Sequence, residues 1–346
     1  MTPTAFAGLA VAVLAVSFGT PLARLTEAAP LAVAAWRMVL AGAILLPIAG
    51  LRGSLRLDRH YLRAALLAGL CLALHFGLWI PSLWLTSASA SVVLVTTAPL
   101  WVLLLSPALL GTPIRGRNLA SFALALAGVA VIAWGDFNVS LRALLGDAMA
   151  LGGAVAVAGY LIVGKRVRGA VPLDGYLAVV NAAAAVVLVL GVVVTGTDPW
   201  PRTALSWLPL LGMALGPSLI GHSMLNWALA HLEAYRVNLA VLLEPVLATV
   251  WVWLFLGEAP PAYVIPGAAL VIAALVLEYL PTGRPTAMGK GTGDRGRGTE
   301  DRGQGTGDRG QGTGDRGQGT GDRGQTTAHP RIETRVAGNE VAATRS

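Results

Sequence analysis

The residue best placed to do chemistry is one carboxylate inside a long apolar run. Glu244 lies eight residues beyond Arg236, which at 1.5 Å per helical residue is roughly 12 Å of depth. Pro245 follows it, removes a backbone donor and loosens a helix at that point. A carboxyl so deep can exchange a proton or hold a substrate ammonium; the competing reading is a structural acid bonded to a neighbouring helix. Ser218, His222 and Asn226 recur at i, i+4 and i+8, so they share one helical face, with Gly216 and Pro217 set to bend the helix just outside it. Cys71, His75, Trp79 and Ser82 form a comparable face earlier in the chain. Histidine titrates near neutral pH and can relay protons; alternatively, each imidazole makes an interhelical hydrogen bond, a contribution of about 0.6 kcal/mol in membrane proteins.

Other groups invite weaker readings. Arg37 sits toward one end of its apolar run, where it can snorkel to lipid headgroups, pair with a neighbouring helix, or meet a substrate carboxylate. Tyr160, Trp79 and Trp227 are candidates to line a cavity. Asp147 and Asp174 fall near expected helix starts and read as dipole-complementing caps. His75, His222 and Glu244 have no zinc-ligand spacing, so no metal or other cofactor is expected. Cys71, the one cysteine, excludes an intrachain disulfide. There is no phosphate-cradling glycine loop and no recognisable nucleophile–base or paired-carboxylate arrangement, so no residue is assigned as catalytic and the chain reads as a non-enzyme.

The elements that must position these groups are membrane helices. Of 346 residues, 55% are hydrophobic and only 12% charged, against about a quarter charged in soluble domains. Ten apolar stretches long enough to span a bilayer lie near 6–25, 31–50, 62–85, 90–110, 118–135, 146–164, 174–195, 205–230, 237–256 and 262–280. The alternation of a transmembrane β-barrel is absent, which leaves an all-α membrane protein. The net charge of +7 divides into +4 over residues 1–281 and +3 beyond them, without the basic, aromatic-laced patch of a nucleic-acid binder. With the N-terminus cytoplasmic, ten Lys/Arg fall in inner loops (the group Arg52 to Arg63, Arg115 and Arg117, Lys165 to Arg168, and Arg236) against Arg24, Arg142 and Arg202 outside. That bias places both termini in the cytoplasm. Trp36, Trp84, Trp134, Trp200, Trp207 and Trp253 then mark the outer interface, and Tyr61, Tyr176, Tyr235 and Tyr279 the inner one.

The two halves repeat with an offset of 146 residues: Pro99 meets Pro245, Gly111 meets Gly257, and Ser121 meets Gly267. Five spans per half put the halves in opposite orientations, the inverted-repeat plan of secondary transporters, whose substrate sites lie near the midplane. Residues 1–141 and 142–283 are the expected halves. Beyond them, 284–346 carries a Gly-Thr-Gly-Asp-Arg-Gly-Gln repeat without an apolar seam, a composition that predicts a disordered tail.

The series Ala35-Trp36-Arg37-Met38-Val39-Leu40-Ala41, Leu85-Thr86-Ser87-Ala88-Ser89 leading into Ala98-Pro99, and Leu243-Glu244-Pro245-Val246 followed by Phe255-Leu256-Gly257-Glu258 and Gly267 resembles the drug/metabolite transporter superfamily, specifically its EamA-type members. The resemblance spans about residues 6–281. It departs at Leu110-Gly111-Thr112, where Glu258 lacks a first-half twin. It implies a ten-helix carrier of small metabolites, often amino acids or related compounds, working by alternating access in a cell (inner) membrane. The expected partners are a small-molecule substrate, the bilayer and, as a candidate coupling ion, protons. Two alternatives stand beside an exporter: a nucleotide-sugar or sugar-phosphate carrier of the same superfamily, which wants basic groups facing its cavity, and a lipid-modifying membrane enzyme.

Overall fold

The computed structural model describes residues 3–132, 140–257 and 262–280, without the side chains of Ala88, Ser89, Val252, Phe255 and Leu256. The repeat tail, Trp134 and Glu258 lie outside these residues. Among them, every regular element is helical apart from one isolated bridge between Arg168 and Val171. In chain order these are α1 (Pro3–Val16), α2 (Gly19–Arg24), α3 (Pro30–Leu51), α4 (Arg59–Leu85), α5 (Ala88–Val95), α6 (Ala98–Leu110), α7 (Gly116–Ile132), α8 (Leu141–Val167), α9 (Leu173–Thr195), α10 (Trp207–Met213), α11 (Ser223–Leu229), α12 (Ala234–Ala240), α13 (Glu244–Leu256) and α14 (Val264–Tyr279). Several join end to end. A π-helix, Ala214–His222, links α10 to α11, and a 3₁₀ turn, Val241–Leu243, links α12 to α13.

Seven of the resulting rods are long and apolar enough to cross a bilayer: Pro3–Arg24, Pro30–Leu51, Arg59–Leu85, Ala90–Leu110, Leu141–Val167, Leu173–Thr195 and Ala204–Leu229; α7 and α14 are shorter apolar helices. Their outward faces carry Leu190, Val193, Val194, Leu208 and Ile265, all more than half exposed. Water does not tolerate such a continuous apolar belt, whereas lipid does. The chain is a multi-pass membrane protein.

The 146-residue shift maps one half onto the other element by element. α5 and α6 correspond to α12 and α13; residues 98–110 become 244–256. Gly111 and Gly257 end those helices in the same left-handed conformation, with φ of 67° and 70°, which a glycine adopts without a Cβ penalty. The packing follows the same rule. α3 packs along α9 and α7 along α14, each element against its own twin, and α4 against α8 is matched by α1 against the Ala204–Leu229 rod.

The α7–α14 crossing depends on two glycines. A Cβ on Gly128 would come within 2.6 Å of the Gly267 carbonyl oxygen, and one on Gly267 within 2.8 Å of the Gly128 oxygen. Neither backbone can yield without separating the helices, the small-residue contact that membrane packing favours. Gly267→Val is expected to destabilise the protein by roughly 1–3 kcal/mol, read as a lowered melting temperature in detergent. Gly116→Ala, where a Cβ meets nothing within 4 Å, serves as the neutral control; equal melting temperatures for the two variants would show that the crossing is not tight.

Candidate functional site

Two helix breaks build the site. α5 stops at Val95, and α6 restarts at Ala98 with Pro99 in its first turn; α12 gives way to the 3₁₀ turn, and α13 restarts at Glu244 with Pro245 in its first turn. A proline suits a first turn because its missing N–H is one the helix leaves unpaired there. Glu244, as the first residue of a half-helix, complements that helix's dipole.

Between the breaks lies a cavity of about 70 Å³, room for about five waters at roughly 10–15 Å³ each. Val95, Thr96, Ala98 and Pro99 line it from one half, and Asn238, Val241, Leu242 and Glu244 from the other. Arg37 on α3, His75, Phe76 and Trp79 on α4, Tyr160 on α8 and His222 on the π-helix complete the wall. The cavity thus gathers Glu244, His222, His75, Trp79, Tyr160, Arg37 and Pro99. Asn226 stands behind the wall: its amide nitrogen donates to the Tyr160 hydroxyl and, at 2.8 Å, to the His222 carbonyl. Pro245 is buried beside Glu244 but does not line the cavity.

The two charged groups of the wall are held differently. Arg37 is 2% exposed; its Nε donates to the Ser218 hydroxyl at 2.7 Å, and its guanidinium carbon lies 4.1 Å from the Phe76 ring centroid. It therefore does not snorkel. α3 begins at Pro30, so Arg37 is two turns inside the helix, and its side chain turns inward to an aromatic face. The Glu244 carboxylate faces the cavity and Gly19, and among the described residues it has no hydrogen bond or ion pair, Arg37 included. The cavity holds a cation on one wall and an uncommitted carboxylate on another. His75 Nδ1 donates to the Gly153 carbonyl at 2.9 Å and the ring stacks on Trp79; Phe76 stands edge-on to His222.

Three details differ from expectation. The bend around Pro217 is a π-helix that contains Ser218 and His222 rather than lying outside the stripe. Asp147 is no cap: Ser140 caps α8 through its side chain to Ala143 N, and Asp147 is about two turns further in. Asp174 does lie in the first turn of α9, bonded to the Ser54 hydroxyl. Asn238 and Thr96 were not foreseen; Asn238 was legible as the lone amide of its apolar run, and its Nδ2 is buried without a partner.

A second polar cluster, also unforeseen, sits at the arginine-rich end. Glu278 on α14 is fully buried. It accepts from Asn118 Nδ2 at 3.1 and 3.3 Å, from the Ser121 hydroxyl at 3.1 Å and from Arg236 Nε at 3.2 Å. Tyr235 donates to the Asn118 carbonyl and Tyr279 to the Arg236 carbonyl. Both hydroxyls are thus bonded within the protein.

A family model described as the EamA-like transporter family matches the chain twice, over residues 4–134 and 144–280. No curated protein matches it. Among solved structures, one described only as the crystal structure of a protein is similar over 81% of this chain and 97% of that one, at 21% identity and a TM-score of 0.68. That likeness is one of fold.

Proposed function

Because the chain belongs to the EamA-like transporter family, we propose that it is a ten-span secondary transporter in a 5+5 inverted repeat, with residues 1–141 and 142–283 as its halves. It exports small polar metabolites, amino acids or related compounds, across a cell (inner) membrane, with both termini cytoplasmic. The halves rock about the paired breaks at Pro99 and Pro245, and the cavity between them opens to one side at a time. The observation that carries this reading is the cavity itself, placed at two symmetry-related breaks and lined by Arg37 opposite an unpaired Glu244. Discontinuous helices at the midplane are where secondary transporters bind substrate and coupling ion. Glu244 is the proposed ammonium or proton site, Arg37 the partner for an anionic group, and His75, His222, Trp79, Tyr160 and Asn226 the shape-giving wall.

A ligand bound to the folded state raises the unfolding midpoint by mass action. The purified protein is therefore expected to be stabilised by zwitterions or cations from a panel of amino acids, nucleosides, sugar phosphates and amphipathic cations. Glu244→Gln should abolish that shift while the variant still inserts and folds. The buried position of Arg37 also favours a second reading, a carrier of phosphorylated sugars. Stabilisation by phosphates that survives Glu244→Gln and disappears in Arg37→Met would replace the first reading with the second.

A further inference from the structure

The helix break before Glu244 has a second face, turned away from the cavity. Val241, Leu242 and Glu244 line the cavity, whereas Ala240, Leu243 and Leu247 floor a groove on the other side of the same turn. α1 and α14 are its banks. The groove holds about 560 Å³ against about 70 Å³ for the cavity, and every residue lining it is aliphatic or aromatic. Leu9 and Val13 lie deep in it, each 3% exposed; Phe6, Ile272 and Val276 form its rim and are about half exposed.

The internal repeat sets this groove apart. Under the 146-residue shift α1 falls on residues 149–162, within α8, and the α12–α13 break falls on the α5–α6 break. α8 packs closely along both α5 and α6 and so covers the back of their break, whereas α1 touches α12 and α13 only lightly. Of two equivalent breaks, one is braced by a helix and the other opens on an apolar groove. Walls of this kind gain dispersion contacts from hydrocarbon and nothing comparable from water.

Length and polarity name the occupant. The groove has its polar end at Tyr279, which stands edge-on to Phe6 and donates its hydroxyl to the Arg236 carbonyl at the arginine-rich end. From there it runs inward as far as Leu14 on α1 and Ile272 on α14, roughly 10–12 Å at 1.5 Å per residue. It therefore ends within one leaflet, about 15 Å or half of the hydrocarbon core. A helix of a second copy would cross the whole bilayer, but an acyl chain occupies one leaflet and stops. Residues 281–346 do not supply the filling either, since they contain no apolar run longer than three.

We infer that the groove binds one acyl chain of a membrane phospholipid, its headgroup at the arginine-rich end and its methyl end beside Leu14. The chain braces the α12–α13 break from behind, as α8 braces the α5–α6 break, and so steadies the turn that leads into Glu244. The site stands whether or not the cavity carries a substrate.

The test is photo-crosslinking of the full chain in nanodiscs, with a phospholipid that carries a diazirine midway along one acyl chain, read by peptide mass spectrometry. Leu67 is the reference, a 50% exposed residue of α4 eight positions beyond Arg59. The groove, Leu9 and Val13 included, is expected to be labelled several-fold more than Leu67 although those two are far less exposed. Ala10 is an exposed residue of the groove wall. Ala10→Leu should reduce the excess and Ala10→Phe abolish it, with Leu67 unchanged; the leucine variant carries the test if the phenylalanine one does not fold. Groove labelling no higher than at Leu67 overturns the inference, and if the protein in the nanodisc then has a dimeric mass, the groove belongs to a second copy. An excess that Ala10→Leu and Ala10→Phe both leave unchanged overturns it as well, because the lipid then sits elsewhere.

Discussion

Glu278→Ala will unfold at a much lower temperature than the unaltered protein, at a cost of about 3–5 kcal/mol, the penalty for removing one partner of a buried ion pair. The carboxylate answers donors from two other helices at once: Asn118 and Ser121 on α7, and Arg236 on α12. Its loss leaves the Asn118 amide without its acceptor and the Arg236 Nε with Glu233 alone, at 3.4 Å. Glu278→Gln should fall between the two, since an amide oxygen still accepts from Ser121 while its NH₂ opposes Arg236. Thermal unfolding in detergent decides the matter, and a melting temperature unchanged by Glu278→Ala would mean that the cluster contributes nothing. The cluster has no twin. Under the 146-residue shift Glu278, Arg236, Asn118 and Ser121 correspond to Ile132, Ala90, Val264 and Gly267, so the opposite end of the molecule lacks this fastening. The α12 segment that it anchors is the one that carries Asn238 toward Glu244.

Arg37→Met should act in the other direction on stability. Burying a guanidinium forfeits its hydration, and the return is one hydrogen bond to Ser218, a face of Phe76 and the longer-range attraction of the Glu244 carboxylate across the cavity. Taking one charge out of water costs several kcal/mol, and among the described residues no ion pair within 4 Å offsets that cost for Arg37, so an apolar side chain of similar length is expected to suit the fold better. The variant is expected to melt at a higher temperature than the unaltered protein when empty, and to lose the stabilisation that any carboxylate- or phosphate-bearing ligand provides. A residue kept at a cost to the fold is explained by what it binds. If Arg37→Met instead melts lower and still responds to the same ligands, Arg37 is a structural strut and the cavity reads anions by other means.

The paired breaks were readable from the sequence because they rest on local chemistry. Pro99 and Pro245 fix where a helix can restart, and Gly111 and Gly257 where it must stop, so a 146-residue offset sufficed to find both. The charge of Glu244 inside an apolar run was equally plain. Arg37 was harder. Its distance from the span's end fitted both snorkelling and burial, and what decides between them is Phe76, a residue on another helix. Glu278 escaped for the same reason in stronger form. Near the end of its span it looks like an ordinary interfacial acid, and its partners lie 42 to 160 residues away. The π-helix was invisible because Ser218, His222 and Asn226 have the spacing of a regular α-helix.

That winding sets a limit on sequence length at one place. A π segment is in effect an α-helix with residues inserted, so a deletion within Ala214–His222 is the edit that would restore a regular rod. Each residue removed turns the far side by about 100° relative to the near side. Ser218 and Asn226 could then no longer both be delivered, one to Arg37 and the other to Tyr160. Regularity and address compete in this stretch, and the chain has settled for the address: substitutions here can be accommodated one side chain at a time, whereas a change of length displaces half of the cavity wall in a single step.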